Sequence, residues 1–206
     1  MIAFKIINVR PFAQSQMVAK IAEVYQQAFG DKPWNEGLIC PICGSLFSRN
    51  LFSEICPKCV VQSKEVLLVE YWPMSKIIND FYQEMNKPLS VCIVALIGKD
   101  VIGFAWGYQV NVNLELEVNL EAPGLHRLLC EPVSYFYLDE CAVLPTYQGR
   151  GLGKLLVKNI LRQQALSRVI LRTMDDSRMC DLIKKMGGKI VQNVSRNRVI
   201  MQLATP

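Results

Sequence analysis

Seven consecutive residues, Gln148-Gly149-Arg150-Gly151-Leu152-Gly153-Lys154, and four cysteines, Cys40, Cys43, Cys56 and Cys59, are the parts of this chain whose types and spacing suit chemistry. In the first group three alternate glycines remove Cβ atoms that would block the backbone. Successive amides at a helix start can then point at phosphate oxygens, with the helix dipole behind them. The commoner phosphate motifs do not fit. A Walker loop needs glycine where Gln148 stands and a hydroxyl residue where Leu155 stands, and a dinucleotide Gly-x-Gly-x-x-Gly needs glycine at Lys154 or Leu156.

The cysteines read C-x2-C-x12-C-x2-C, with Pro41 and Gly44 in one knuckle and Pro57 in the other. Two such turns each present a thiolate pair, and together they complete the tetrahedral sulfur shell that zinc prefers. Four protein ligands leave no open position for substrate or water, so the expected Zn2+ is structural. Iron in a rubredoxin-like site and two free redox pairs are the alternatives. A ribbon this small depends on its metal to fold. Arg49, Lys58 and Lys64 give it positive charge, but aromatic residues are thinly interleaved, so nucleic acid is not the favoured partner. Cys92, Cys130, Cys141 and Cys180 stand singly in apolar contexts, as buried small hydrophobes do.

The glycine loop follows Glu140-Cys141-Ala142-Val143-Leu144-Pro145. Together these segments resemble the GNAT acyltransferase superfamily, whose fourth strand often reads Glu-Leu-Ala-Val-x-Pro before a Gln/Arg-x-x-Gly-x-Gly/Ala loop. The resemblance implies acetyl-CoA as cosubstrate. Its pyrophosphate would lie on the amides of Gln148, Gly149, Arg150, Gly151, Leu152 and Gly153, with Lys154 at the edge. Its pantetheine arm would follow Cys141, Ala142 and Val143 where the fourth and fifth strands splay apart, and a free amide there would polarise the thioester carbonyl. Glu140 stands at the family's frequent strand glutamate and is the candidate general base. Strand alternation should send Asp139 to the opposite face. The family's usual acid, a tyrosine, is replaced by Ile183, and Asp176 takes the place of a frequent cofactor-contacting asparagine. Thiolate protonation then falls to solvent, Cys180 or a tyrosine from elsewhere.

The elements that must position these groups alternate along the chain. A strand at 2–9 precedes a helix from Ser15 with Met17, Ile21, Val24, Tyr25 and Ala28 on one face. A second helix runs to about Met85, and Val91–Ile97 with Val101–Tyr108 reads as a hairpin. Residues 111–132 show no firm pattern. A strand at 134–143 enters the glycine loop, and the helix after it directs Leu152, Leu155, Leu156, Asn159 and Ile160 inward, with Lys154, Lys158 and Arg162 on another face. A strand at 169–174, a helix at 177–186 and strands at 189–194 and 198–203 close the chain. The fold class expected is α/β (α+β mixed): one GNAT-like domain over 1–206, a mixed central sheet flanked by helices, with a zinc-ribbon module at 36–66 inserted between the first two helices.

With 206 residues, 51% of them hydrophobic, and a net charge of +5, the composition suits one buried core and gives no sign of a nucleic-acid tail. The apolar runs are too short to span a bilayer and no secretory leader is visible, so a cytoplasmic protein with no membrane partner is expected. His126, the single histidine, reads as a surface or structural residue, and the absence of a Gly-x-Ser-x-Gly elbow excludes a serine hydrolase. Glu115, Glu117 and Glu121 are either a solvated strand edge or an attractor for a cationic acceptor. The expectation is an acyl-CoA-dependent N-acetyltransferase that moves an acetyl group directly to a primary amine, borne by a small molecule or by a protein or peptide. The alternative is an acyl-CoA-binding regulatory or interaction module. Monomer and homodimer both stay open.

Overall fold

The structure is a computed structural model that describes residues 5–9, 15–129, 134–163, 168–195 and 197–204. The first strand is β1 (Lys5–Val9), its expected start at 2–4 and Cys130 both lying outside the described residues. Helix α1 (Ser15–Phe29) buries Val18, Ile21, Ala22, Val24, Tyr25 and Phe29, an apolar stripe at helical spacing. A small antiparallel sheet follows, built from β2 (Leu38–Ile39), β3 (Leu46–Phe47) and, after the single turn α2 (Pro57–Val60), β4 (Val69–Glu70). Its third strand lies beyond residue 66, so the paired backbone of this module reaches Glu70.

Helix α3 (Met74–Met85) leads into β5 (Val91–Ile97) and β6 (Asp100–Asn111), joined by a tight turn at Gly98, where φ is +60°. Residues 111–129, without a firm pattern in the sequence, hold two short helices, α4 (Leu114–Asn119) and α5 (Leu125–Leu128). The side chain of Asn113 caps α4 by accepting from Leu116 N at 2.9 Å. Strand β7 (Ser134–Val143) ends in a 3-10 turn over Pro145–Tyr147, and α6 (Leu152–Arg162) begins after the glycine loop. Then come β8 (Arg168–Met174), α7 (Arg178–Lys185), β9 (Lys189–Val194) and β10 (Arg198–Ala204). On α6 the buried residues are Leu152, Leu156, Val157 and Ile160; Val157 replaces the expected Leu155 and Asn159, which are only half-buried.

The seven-stranded sheet has the order β1-β5-β6-β7-β8-β10-β9, antiparallel except between β7 and β8. One face packs on α1 and α3 through Val94, Phe104, Trp106 and Ala142. The other packs on α6 and α7 through Phe136, Leu156, Ile160, Val169, Ile183 and Met201. Each large apolar side chain fully buried here contributes about 1.5–3 kcal/mol.

Two irregularities matter for function. Strands β7 and β8 are in register only at Phe136↔Val169 and Tyr137↔Ile170, so beyond Tyr137 the edge of β7 facing β8 carries no strand partner. On its other edge β7 pairs with β6, but Trp106 opposes Glu140 while Gly107 opposes Leu138, which leaves Asp139 as the extra residue of a β-bulge. Glycine is required opposite the bulge: a Cβ at Gly107 would lie 2.2 Å from Tyr137 O.

Candidate functional site

The glycine loop takes the shape its sequence demands. Gly149 and Gly151 have φ of +76° and +80°, the left-handed region that residues with a Cβ enter at a cost, and Gly151 is the N-cap of α6. The first backbone bond of the helix is Leu155 N to Gly151 O at 3.1 Å, and among the described residues no acceptor takes the amides of residues 149–154. Of these residues all but Arg150, together with Gln148, line a cavity of about 540 Å3. A Cβ at Gly153 would meet nothing within 4 Å, so the missing side chain leaves open room on the cavity wall. Unpaired amides at a helix start beside open space suit a diphosphate. Gln148 is fixed by its Nε2 donating to Val143 O at 2.9 Å and by Arg178 Nη1 donating to its Oε1 at 3.1 Å.

Cys141, Ala142 and Val143 lie on the wall of the same cavity, as do Asp176 and Ser177 at the start of α7. Arg150 is the one loop residue that does not; its guanidinium turns back to Thr146 O at 3.4 Å and over the Tyr147 ring. Lys158 and Arg162 are exposed away from the cavity wall. Cys180 and Ile183 are both fully buried in the core under α7, which removes Cys180 as a proton donor to the cavity. Tyr147 is the tyrosine that the cavity itself offers.

Glu140 lines a second cavity, of about 280 Å3, and Phe29 and Trp34 line both, so the two meet at these rings. Tyr25 donates to Glu140 Oε1 at 3.0 Å and is itself held by stacking on Phe104 and edge contact with Trp72. The expectation that Asp139 points to the opposite face fails: the bulge turns it into the same cavity as Glu140, together with Glu36 and Glu84. Trp106 Nε1 donates to Glu84 Oε2 at 2.6 Å, and Trp72 Nε1 to Glu36 Oε2 at 3.0 Å. Arg198 pairs with Glu36 at 2.5 Å, and Arg172 completes the wall.

This crowding of carboxyl groups changes their acidity. Burial, then the charges of Asp139 and Glu36, hold Glu140 well above the ordinary carboxylate range, against the Tyr25 hydrogen bond and the charge of Arg172. Glu84 is pushed up to about 10 by burial first and by Asp139 next, so it keeps its proton at neutral pH. Asp139 is also raised by burial, opposed by Glu84, Lys87, Tyr108 and Arg172. The group is a partly protonated acid cluster with Glu140 at its edge. Sequence reasoning overlooked Tyr25 as a functional group, Glu36, Glu84, Arg172 and Arg198. The one local signal was an arginine set in the otherwise apolar run Val169-Ile170-Leu171.

The expected roles of Glu115, Glu117 and Glu121 are corrected. Glu117, on α4, is buried and closes the start of α5, accepting from Gly124 N at 2.9 Å and His126 N at 2.7 Å and pairing with the His126 ring. These bonds, His126 N first, hold it down at about 2. Glu121 contacts Ser195. None of the three lines the acidic cavity, and His126 does not either.

The four cysteines converge. Cys40 Sγ lies 3.6 Å from Cys59 Sγ and Cys43 Sγ 3.7 Å from Cys56 Sγ, with all four sulfurs within 4.8 Å of one another. Zinc–sulfur bonds of about 2.3 Å imply tetrahedron edges of roughly 3.8 Å, so the donor set fits that ion. In the first knuckle Gly44 N donates to Cys40 O at 2.9 Å with Gly44 at φ +67°.

A model of the acetyltransferase (GNAT) family matches residues 55–187. The GCN5-like protein acetyltransferase Rv2170 of Mycobacterium tuberculosis is 31% identical over 97 residues, which are 42% of this chain and 47% of that protein. The chain thus spans about half the length of the curated relative it matches. Among solved structures, PH1933 from Pyrococcus horikoshii OT3 superposes with a TM-score of 0.58 at 14% identity over 99% of both chains. The PaiA N-acetyltransferase of Thermoplasma acidophilum, solved in complex with coenzyme A, has a TM-score of 0.55 at 13% identity over 98% of this chain and 99% of its own. An acetyltransferase from Thermus thermophilus gives 0.53 at 11% identity over 98% and 97%. At such identities these likenesses establish the fold. No described helix is long and apolar enough to cross a membrane.

Proposed function

The chain belongs to the acetyltransferase (GNAT) family, and from that premise we propose that it transfers an acetyl group from acetyl-CoA directly to a primary amine. The observation that carries this reading is the meeting of the two cavities at Phe29 and Trp34, one rimmed by unpaired amides and the other by carboxyl groups. In this reading the amides of residues 149–154 hold the diphosphate and the free edge of β7 at Cys141, Ala142 and Val143 guides the pantetheine arm. Acetyl-CoA supplies the reactive thioester. An amide on that free edge polarises its carbonyl as negative charge develops.

The acceptor enters from the acidic side, where carboxyl groups favour a cation. Glu140, a stronger base than an ordinary carboxylate because burial raises it, takes the proton that the attacking nitrogen releases. A carbon–nitrogen bond forms, the carbon–sulfur bond breaks, and the thiolate takes a proton from Tyr147 or from water in the larger cavity. The four cysteines hold a structural zinc ion with no open position, and the ribbon fixes the flanks of the acceptor cavity. The second reading, a regulatory module that binds acyl-CoA without turnover, draws on Ile183 at the family's tyrosine position; the acid cluster beside the cofactor cavity favours catalysis over it.

Calorimetric titration with acetyl-CoA, followed by acceptor-dependent thiol release across a panel of amines, tests the proposal. Saturable binding and release that depends on both amine and Glu140 are expected. Binding without any amine-dependent release would replace the enzyme with the sensor, and no binding at all would remove both.

A further inference from the structure

Of the two arginines in the acidic cavity, one is spoken for and one is not. Arg198 is tied to Glu36, which Trp72 also holds. Arg172 lines the same cavity and, among the described residues, makes no hydrogen bond and no ion pair. A half-buried guanidinium with several donors idle is costly to leave so, and its planar fork matches a carboxylate.

Its place in the sheet says where that carboxylate would sit. Strands β7 and β8 are last paired at Tyr137↔Ile170. Asp139 and Arg172 each lie two residues beyond that pair, where the strands part, and both line the cavity with Glu140, one step further on β7; the Arg172 charge acts on both carboxyl groups. The cavity therefore presents acid on one strand and, on the other, a cation whose charge reaches Asp139 and Glu140 but which has no hydrogen-bonded or ion-paired partner among the described residues. A ligand spanning the gap needs an amine at the β7 side and an anion at the β8 side. A polyamine does not fit that pattern, because its second ammonium would meet Arg172. Tyr25, Tyr71, Trp72 and Tyr137 supply ring surface between the two poles for an apolar body.

We infer that the acceptor is a small zwitterion, an amino acid or a close derivative, with its amine directed to Glu140 and its carboxylate held by Arg172. The inference rests on reading this cavity as the acceptor site and adds the class of molecule that enters it.

The test measures binding of each standard L-amino acid and of its decarboxylated amine to the full-length protein saturated with coenzyme A, by calorimetry, and thiol release with acetyl-CoA for the same pairs. At least one amino acid should bind about 10- to 100-fold more tightly than its amine, the range of a charge-assisted bond in a partly dry site. Arg172→Gln should collapse that ratio toward one, and Arg172→Lys should restore part of it. Because both members of a pair carry the same amine, any effect of the substitution on Glu140 cancels in the ratio. Thermal melting of each variant checks that the fold survives.

Amino acids that bind no better than their amines, or a ratio indifferent to Arg172→Gln, overturn the inference. Simple amines acetylated without that preference overturn it while leaving the acetyltransferase reading intact. A preference present in binding but with no thiol released does the reverse.

Discussion

Asp139 and Glu140 are consecutive on β7, yet both side chains enter one cavity, because Asp139 is the unpaired residue of the bulge between Gly107 and Trp106. An unbroken strand would have sent one of them into the apolar core against α6. The bulge instead places two carboxyl groups side by side, and each makes the other harder to ionise. Glu140 directly precedes Cys141, which lines the larger cavity, and burial with the charges of Asp139 and Glu36 holds its acidity well below that of an ordinary carboxyl group.

The pH dependence of turnover should therefore report this pair. A base must be ionised to act, so kcat/KM rises as the cluster loses its proton, with the limb displaced above the ordinary carboxylate range. Glu140→Gln should lower kcat about 100- to 10,000-fold and abolish that limb. Asp139→Asn removes a like charge that raises Glu140, so the limb moves to lower pH. Tyr25→Phe removes a hydrogen bond that stabilises the ionised form, so it moves to higher pH. Rate profiles for the two variants that shift in the same direction would refute the assignment.

Glu84 gives a stability prediction of definite sign. Its folded form keeps the proton up to about 10, whereas the unfolded chain loses it near 4.5. Below 4.5 both states are protonated and the group is neutral to stability. As pH rises from there toward 10 the unfolded state is favoured progressively. Gln is uncharged throughout and retains an acceptor for Trp106 Nε1. Glu84→Gln should match the wild type in thermal melts near pH 4, then melt at increasingly higher temperature than the wild type between pH 6 and 9. A gap that stays constant across this range would show that Glu84 is ionised in the fold.

What was legible in the sequence is what is local. The loop from Gln148 to Lys154 and the knuckles at Cys40–Cys43 and Cys56–Cys59 are each contiguous, so residue types and spacing suffice to read them. The alternation of apolar strands and amphipathic helices likewise sets the order of elements along the chain, whereas the strand order of the sheet comes from long-range pairing. The acidic cavity is different. It gathers Tyr25 from α1, Glu36 ahead of β2, Glu84 from α3, Asp139 and Glu140 from β7, Arg172 from β8 and Arg198 from β10, and no window of sequence holds more than two of them. The bulge at Asp139 was equally hidden. Its trace is a glycine on the neighbouring strand, Gly107, set between Trp106 and Tyr108. Between 111 and 129 the helices are so short that Glu and Leu alternate without completing a helical period, and the Asn113 cap was the overlooked mark.

Gly153 allows affinity and stability to move in opposite directions. It lies in the first turn of α6 with room for a methyl group, so Gly153→Ala should stabilise the free protein by about 0.5–1 kcal/mol. The same methyl enters the seat proposed for the diphosphate, and coenzyme A affinity should fall about tenfold or more. A melting temperature that rises while calorimetric affinity drops is the expected pair of results. Undiminished affinity would place the diphosphate elsewhere.

Metal removal should strike the acceptor side before the central sheet. The ribbon is stitched to the walls of the acidic cavity: Arg49 N donates to Gly30 O at 3.0 Å, Tyr71 N to Gly37 O at 3.2 Å, and Arg49 pairs with Glu70 at 3.1 Å. Trp34 and Glu36 enter this module, and Tyr71 and Trp72 leave it. With the sulfur shell opened, the short β2, β3 and β4 have too little apolar burial to persist. Seven strands packed between α1, α3, α6 and α7 do not depend on it. Chelation, or Cys40→Ser with Cys43→Ser, should release about one zinc per chain, preserve the main thermal transition, raise KM for the amine severalfold and change acetyl-CoA affinity less. Metal analysis, melting curves and the two titrations check this together. Loss of the whole fold on chelation would make the ribbon a foundation of the sheet, and an unchanged amine KM would make it a bystander to the acceptor cavity.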